Sequence, residues 1–131
     1  MTFKEGKVIQ VSAKKGEDFL NGIMKTDDGA TRLGEIALVP HSSPISSYNK
    51  LFYNILIDEN AASHIALGNA YRSSIAKGKS MSDEEFSKAG GNLSGIHIDM
   101  MVGSEQLRVD GILINGDIEP IMENGEWAFE I

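Results

Sequence analysis

The stretch GIHIDMMVG, from Gly95 to Gly103, alternates cleanly: Ile96, Ile98, Met100 and Val102 fall on one side, His97, Asp99 and Met101 on the other. A period of two belongs to a β-strand, because successive side chains leave opposite faces. One face is apolar and calls for a core. The other places an imidazole and a carboxylate two residues apart, where Val or Leu would pack better. A His hydrogen-bonded to a neighbouring Asp is the commoner explanation for H-x-D. The alternative is that both residues are ligands of one metal centre, or of two adjacent ions.

The rest of the chain reads as α+β, with a mixed, mostly antiparallel sheet and two or three helices. KVIQVSA after Gly6 is strand-like, and GEDFLNGIMK places Phe19, Leu20, Ile23 and Met24 at helical spacing. TDDGATRL suggests a helical turn started by Thr26. GEIALVP is a strand ended by Pro40, and SHIALG is a strand with His64, Ala66 and Gly68 on one face. YNKLFYNILI is ambiguous in period. Ser82 followed by Glu85 forms a capping box, so a helix is expected there, stopping at Gly90 and Gly91. LRVDGILIN continues as strands, and DIEPIMENGEWAFEI is a hairpin turning at Asn124-Gly125.

The 131 residues suit one domain, 1–131, able to bury its own core. There is no Cys, so disulfides, thiolate zinc sites and thiol nucleophiles are excluded, and any metal must be held by oxygen and imidazole. A net charge of −7 argues against nucleic acid, which needs clustered Lys and Arg. The same acidity suits a free amine or a divalent ion. No apolar run reaches membrane-spanning length and the first residues lack the plan of a signal peptide, so a cytoplasmic protein is expected.

Five residues qualify as metal ligands. His97 and Asp99 share a strand face. His64 sits in an apolar strand, with Glu59 five residues earlier across an Asn- and Ala-rich turn. Glu35 interrupts another apolar strand, and buried Glu is rare unless paired or metal-bound. Tyr71 could donate a hydrogen bond to an oxyanion. Each alone is more often structural than functional. Together they form a reasonable inventory for a two-metal hydrolase, although spacing does not show that they converge. H-E-x-x-H, P-loop and G-x-S-x-G patterns are absent. Ser63 and His64 are adjacent, which on a strand spoils a nucleophile–base pair. His41 reads as a surface residue, and Tyr48, Phe52 and Tyr53 as core.

The segments LGEIALVP, SPIS, LFYNILIDENAASHIALGNAY, GIHIDMMVG and NGEWA resemble the C-terminal portion of the metallo-aminopeptidases of the aminopeptidase T and aminopeptidase S group. The resemblance runs over essentially the whole chain. It implies a cytosolic, homodimeric exopeptidase with two divalent ions (Zn²⁺, Co²⁺ or Mn²⁺) that removes N-terminal amino acids from peptides. It matches Glu35, His64, His97 and Asp99 to ligand positions, Glu59 to an acidic position close to the metals, and Tyr71 to a tyrosine that stabilises the tetrahedral intermediate. Glu35, or a ligand Glu from the longer upstream region of the family, would take the proton. An alternative expectation is a truncated, non-catalytic module that folds, dimerises and binds metal weakly or not at all.

Overall fold

The computed structural model describes residues 1–130. Ile131, the last residue of the stretch expected to form the final hairpin, lies outside the described residues. The elements are α+β, as expected. The described residues group into two compact units, the first Met1–Ile36 with Ile65–Asp99, the second Ala37–His64 with the described residues from Met100 on. No helix among the described residues is long and apolar enough to cross a membrane.

In the first unit, β1 (Thr2–Lys4) and β2 (Lys7–Gln10) form an antiparallel ribbon. The helix α1 (Glu17–Ile23) follows, with acidic Glu17 and Asp18 in its first turn, where they complement the helix dipole. Its apolar stripe is only partly used, since Phe19 is exposed and Leu20, Ile23 and Met24 are half-buried. The next turn is a 3₁₀ segment, Asp28–Thr31. Its cap is Asp27 and not the expected Thr26: the Asp27 carboxylate accepts from the Ala30 N–H, which a residue one position earlier does not do here.

Three strands then build the sheet that positions the site, in the order β3 (Leu33–Ala37), β4 (His64–Gly68), β5 (His97–Met101). The Gly68 N–H donates to the Arg32 carbonyl and the Asn69 N–H to the Ile96 carbonyl. The end of β4 thus meets the starts of β3 and β5, and both pairs run antiparallel. Pro40 lies three residues beyond β3. Four α-helical segments are present among the described residues, because Pro44–Ser47 (α2) and Ile55–Asp58 (α3) each make a single turn. α4 (Asp83–Lys88) has the complete capping box: Glu85 N–H to Ser82 Oγ at 3.2 Å and Ser82 N–H to Glu85 Oε2 at 2.7 Å. Phe86 on α4 is fully buried, with Ala30, Ala66 and Leu67.

The second unit holds β6 (Val109–Ile112), β7 (Ile118–Glu123) and β8 (Glu126–Trp127), paired antiparallel in that order. The β7–β8 turn falls at Asn124 and Gly125, both at positive φ (52° and 76°), which suits a two-residue hairpin turn. Met122, Ser43, Ser63 and His64 are its buried side chains. Of the aromatic cluster, Phe52 is half-buried, while the two tyrosines do not form core. Tyr48 is 63% exposed and Tyr53 91%, because the segment around them is a surface turn over which Lys50 stacks on the Tyr48 and Phe52 rings.

Candidate metal centre

Glu35 is on β3, and His97 and Asp99 are on β5, with β4 between. Alternation puts Ala66 and Gly68 on one face of β4 and Ile65 and Leu67 on the other. The small residues Ala66 and Gly68 leave more room over their face than Ile65 and Leu67 do over theirs, and side chains of β3 and β5 can meet across the strand. They do meet: His97 Nε2 lies 3.4 Å from Glu35 Oε2 and 3.4 Å from Asp99 Oδ1. The three side chains are 15–23% exposed.

The protonation of His97 follows from its other nitrogen. Nδ1 is 2.7 Å from the Asn69 carbonyl oxygen, which only accepts, so Nδ1 carries the proton. In the neutral ring, Nε2 then offers a lone pair toward two carboxylates that are themselves acceptors. Nε2 and Asp99 Oδ1 are both buried and make no hydrogen bond among the described residues. Three electron-rich atoms within 4.8 Å of one another need either a second ring proton or a cation between them. A ligand His that donates its remaining N–H to a carbonyl is the usual way of aiming an imidazole at a metal. The residues present fit a divalent ion.

Glu59 and His64 belong to the second unit. Glu59 opens a 3₁₀ turn, Glu59–Ala61, after α3. The preceding Asp58 carboxylate accepts the Phe52 N–H at 2.8 Å and the Asn54 N–H at 3.1 Å, fixing that turn. His64 is 1% exposed and donates from Nδ1 to the Ala62 carbonyl at 2.9 Å, which leaves the ring lone pair on Nε2, as in His97. Glu59 and His64 each offer a ligand atom within 4.8 Å of the other. Tyr71 packs its ring 5.1 Å from that of His97, tilted by 51°, and is 47% exposed. His41 is half-exposed beside Glu105, as expected of a surface residue.

Four contributors escape a reading of side-chain patterns. Asn69 acts through its main-chain carbonyl, which leaves no signal in residue type. Asn92 Nδ2 donates to the Gly29 and Gly68 carbonyls at 2.8 and 2.7 Å, holding the end of β4. Arg72 anchors the chain after Tyr71, donating to the Met81 carbonyl, pairing with Asp83 and stacking on the Phe86 ring. Asp27 accepts from the Gly95 N–H at 2.7 Å and the Ser94 hydroxyl at 2.8 Å, tying down the approach to β5. Those bonds, Gly95 first and Ser94 next, hold its carboxyl below the usual range.

A half-buried cluster of imidazole and carboxylates, with no thiolate, is a donor set of the oxygen-and-nitrogen class that suits a divalent ion. Residues 1–127 match the family described as thermophilic metalloprotease (M29), and the chain belongs to that family. It is 52% identical over 131 residues to aminopeptidase 2 of Geobacillus stearothermophilus, covering all of this chain and 32% of that one. It is 48% identical over 126 residues to aminopeptidase T of Thermus aquaticus, covering 96% and 30%. Among solved structures, wild-type AmpT from Thermus thermophilus superposes with a TM-score of 0.85 at 46% identity, over 97% of this chain and 31% of that one. The chain therefore spans about a third of the length of the relatives it matches.

Proposed function

We propose that this chain forms the metal-binding, catalytic part of an aminopeptidase that releases N-terminal amino acids from peptides. The observation that carries the reading is His97, whose Nδ1 proton is committed to Asn69 so that Nε2 faces the Glu35 and Asp99 carboxylates. Glu35, His97 and Asp99 hold a divalent ion, and Glu59 and His64 supply ligands for a second. Zn²⁺, Co²⁺ and Mn²⁺ all suit imidazole-plus-carboxylate donors. When bound, such ions make water nucleophilic at neutral pH and polarise a scissile carbonyl.

The chain's own residues do the rest. Glu35 accepts the proton that the attacking water gives up. Tyr71, beside His97 and half-exposed, donates its phenolic hydrogen to the oxygen on which negative charge develops. A carboxylate of the cluster holds the free amine of the peptide, which restricts cleavage to the first residue. The protein acts in the cytoplasm as a homodimer. Exposed apolar side chains on the β6–β7 hairpin, Ile112 paired with Ile118 and followed by Ile114, support self-association.

Calorimetric titration of Co²⁺ into metal-free wild type, His64→Ala and His97→Ala tests this, beside an amino-acid p-nitroanilide assay on the same samples. Wild type is expected to bind and to release p-nitroaniline, and each variant to lose binding. Binding without turnover would identify a metal-binding module that is not catalytic by itself. Equal binding by all three proteins would overturn the ligand assignment.

A further inference from the structure

Ser63 directly precedes His64, is 1% exposed, and takes no part in the chemistry above. Its hydroxyl bonds twice to one residue. It accepts from the Val39 N–H at 2.9 Å and donates to the Val39 carbonyl at 3.0 Å. In a regular ladder those two groups would pair with the main chain of a neighbouring strand. Here one side chain satisfies both. The Ser63 carbonyl in turn accepts from the Val102 N–H at 2.9 Å and the Gly103 N–H at 2.8 Å. That approach needs glycine at 103, because a Cβ there would fall 2.5 Å from Ser63 N. All these residues lie in the second unit.

The His64 ring is aimed by its bond to the Ala62 carbonyl, so its direction depends on the main chain of residues 62–64. Ser63 is the middle residue of that segment and is held from two sides, by the chain after β3 and the chain after β5. We propose that Ser63 is a positioning residue for His64, its hydroxyl clamp on Val39 setting the main chain from which His64 presents Nε2 to a divalent cation. The inference rests on the reading of His64 as a ligand. Ser63 is not a nucleophile paired with His64: its proton and a lone pair are engaged by Val39, and the two side chains leave opposite faces.

Metal-free wild type, Ser63→Ala, Ser63→Thr and His64→Ala are titrated with Co²⁺ below the onset of each protein's thermal unfolding. Calorimetry gives the affinity, and the visible ligand-field absorption of bound Co²⁺ reports the geometry. Folded Ser63→Ala is expected to bind about tenfold more weakly, the size of effect seen when the support of a ligand is removed, and with altered bands. Ser63→Thr, which keeps the hydroxyl, is expected to retain the wild-type bands. Wild-type affinity and bands in Ser63→Ala, with binding lost in His64→Ala, would overturn the positioning role alone. Unchanged binding in His64→Ala would overturn the ligand reading and this inference with it. Should Ser63→Ala not fold, hydrogen exchange in wild type decides. Coupling is reciprocal, so Co²⁺ must slow exchange of the Val39 amide several-fold more than that of the Ala128 amide in the same unit. Equal slowing at both amides overturns the proposal.

Discussion

Gly68 ends β4 at a φ of +100°, and a Cβ there would lie 2.2 Å from the Ile96 carbonyl oxygen and 2.7 Å from Ile96 Cγ1. The obstacle includes main chain, so it does not swing aside. Gly68 also gives its carbonyl to Asn92 and precedes Asn69, whose carbonyl fixes the His97 tautomer. Gly68→Ala therefore combines left-handed strain with overpacking and is expected to destabilise by at least about 2 kcal/mol. Urea unfolding checks it: the midpoint should fall with an unchanged slope, and a loss under about 0.5 kcal/mol would show that the strand end relaxes. At this scale the sequence discloses residues that act through side-chain type. His97 and Asp99 stand out against a period-two apolar pattern, and Glu35 against an apolar strand. Asn69 does not, because any residue offers the same carbonyl.

Among the elements, those legible in advance are those whose causes are local. The capping box of Ser82 and Glu85 starts α4 where expected, and Asn124-Gly125 turns the last hairpin. Exposure is not local, which is why Tyr48 and Tyr53 look like core in sequence and lie on the surface. The 3₁₀ turn after α1 shows a further case. Its cap, Asp27, is chosen less by the turn than by Ser94 and Gly95, far along the chain, to which the same carboxylate bonds. This tie gives a pH dependence with a definite sign. The folded-state pKa of Asp27 is lowered, chiefly by the Gly95 N–H, so its contribution to stability is fully present above the ordinary carboxylate range near about 4 and is lost as pH falls through the depressed value. Asp27→Asn keeps a cap for Ala30 but has no second acceptor for Gly95. The gap in melting temperature between metal-free wild type and Asp27→Asn should be widest above about pH 5 and should close on acidification below about pH 4. A gap that stays constant across that range would show that the carboxylate charge contributes nothing.

For the molecule as a whole, the decisive event is that Glu35 and His97, distant in sequence, meet across β4. Spacing does not disclose that meeting, since it depends on the strand order β3-β4-β5. Only the resemblance to a family placed both residues in one site beforehand. On the metal-binding reading, a cation occupies the space between these three side chains. Binding to the folded chain alone must then raise stability by mass action, by about 2.7 kcal/mol when free metal is a hundredfold above its dissociation constant. For a chain of this size that corresponds to a rise in melting temperature of roughly 5–15 °C. Calorimetric scans of wild type with and without Co²⁺ should show that rise, and His97→Ala should show almost none at the same concentration. A full Co²⁺ shift in His97→Ala would place the stabilising ion elsewhere and leave the Glu35–His97–Asp99 cluster a structural one.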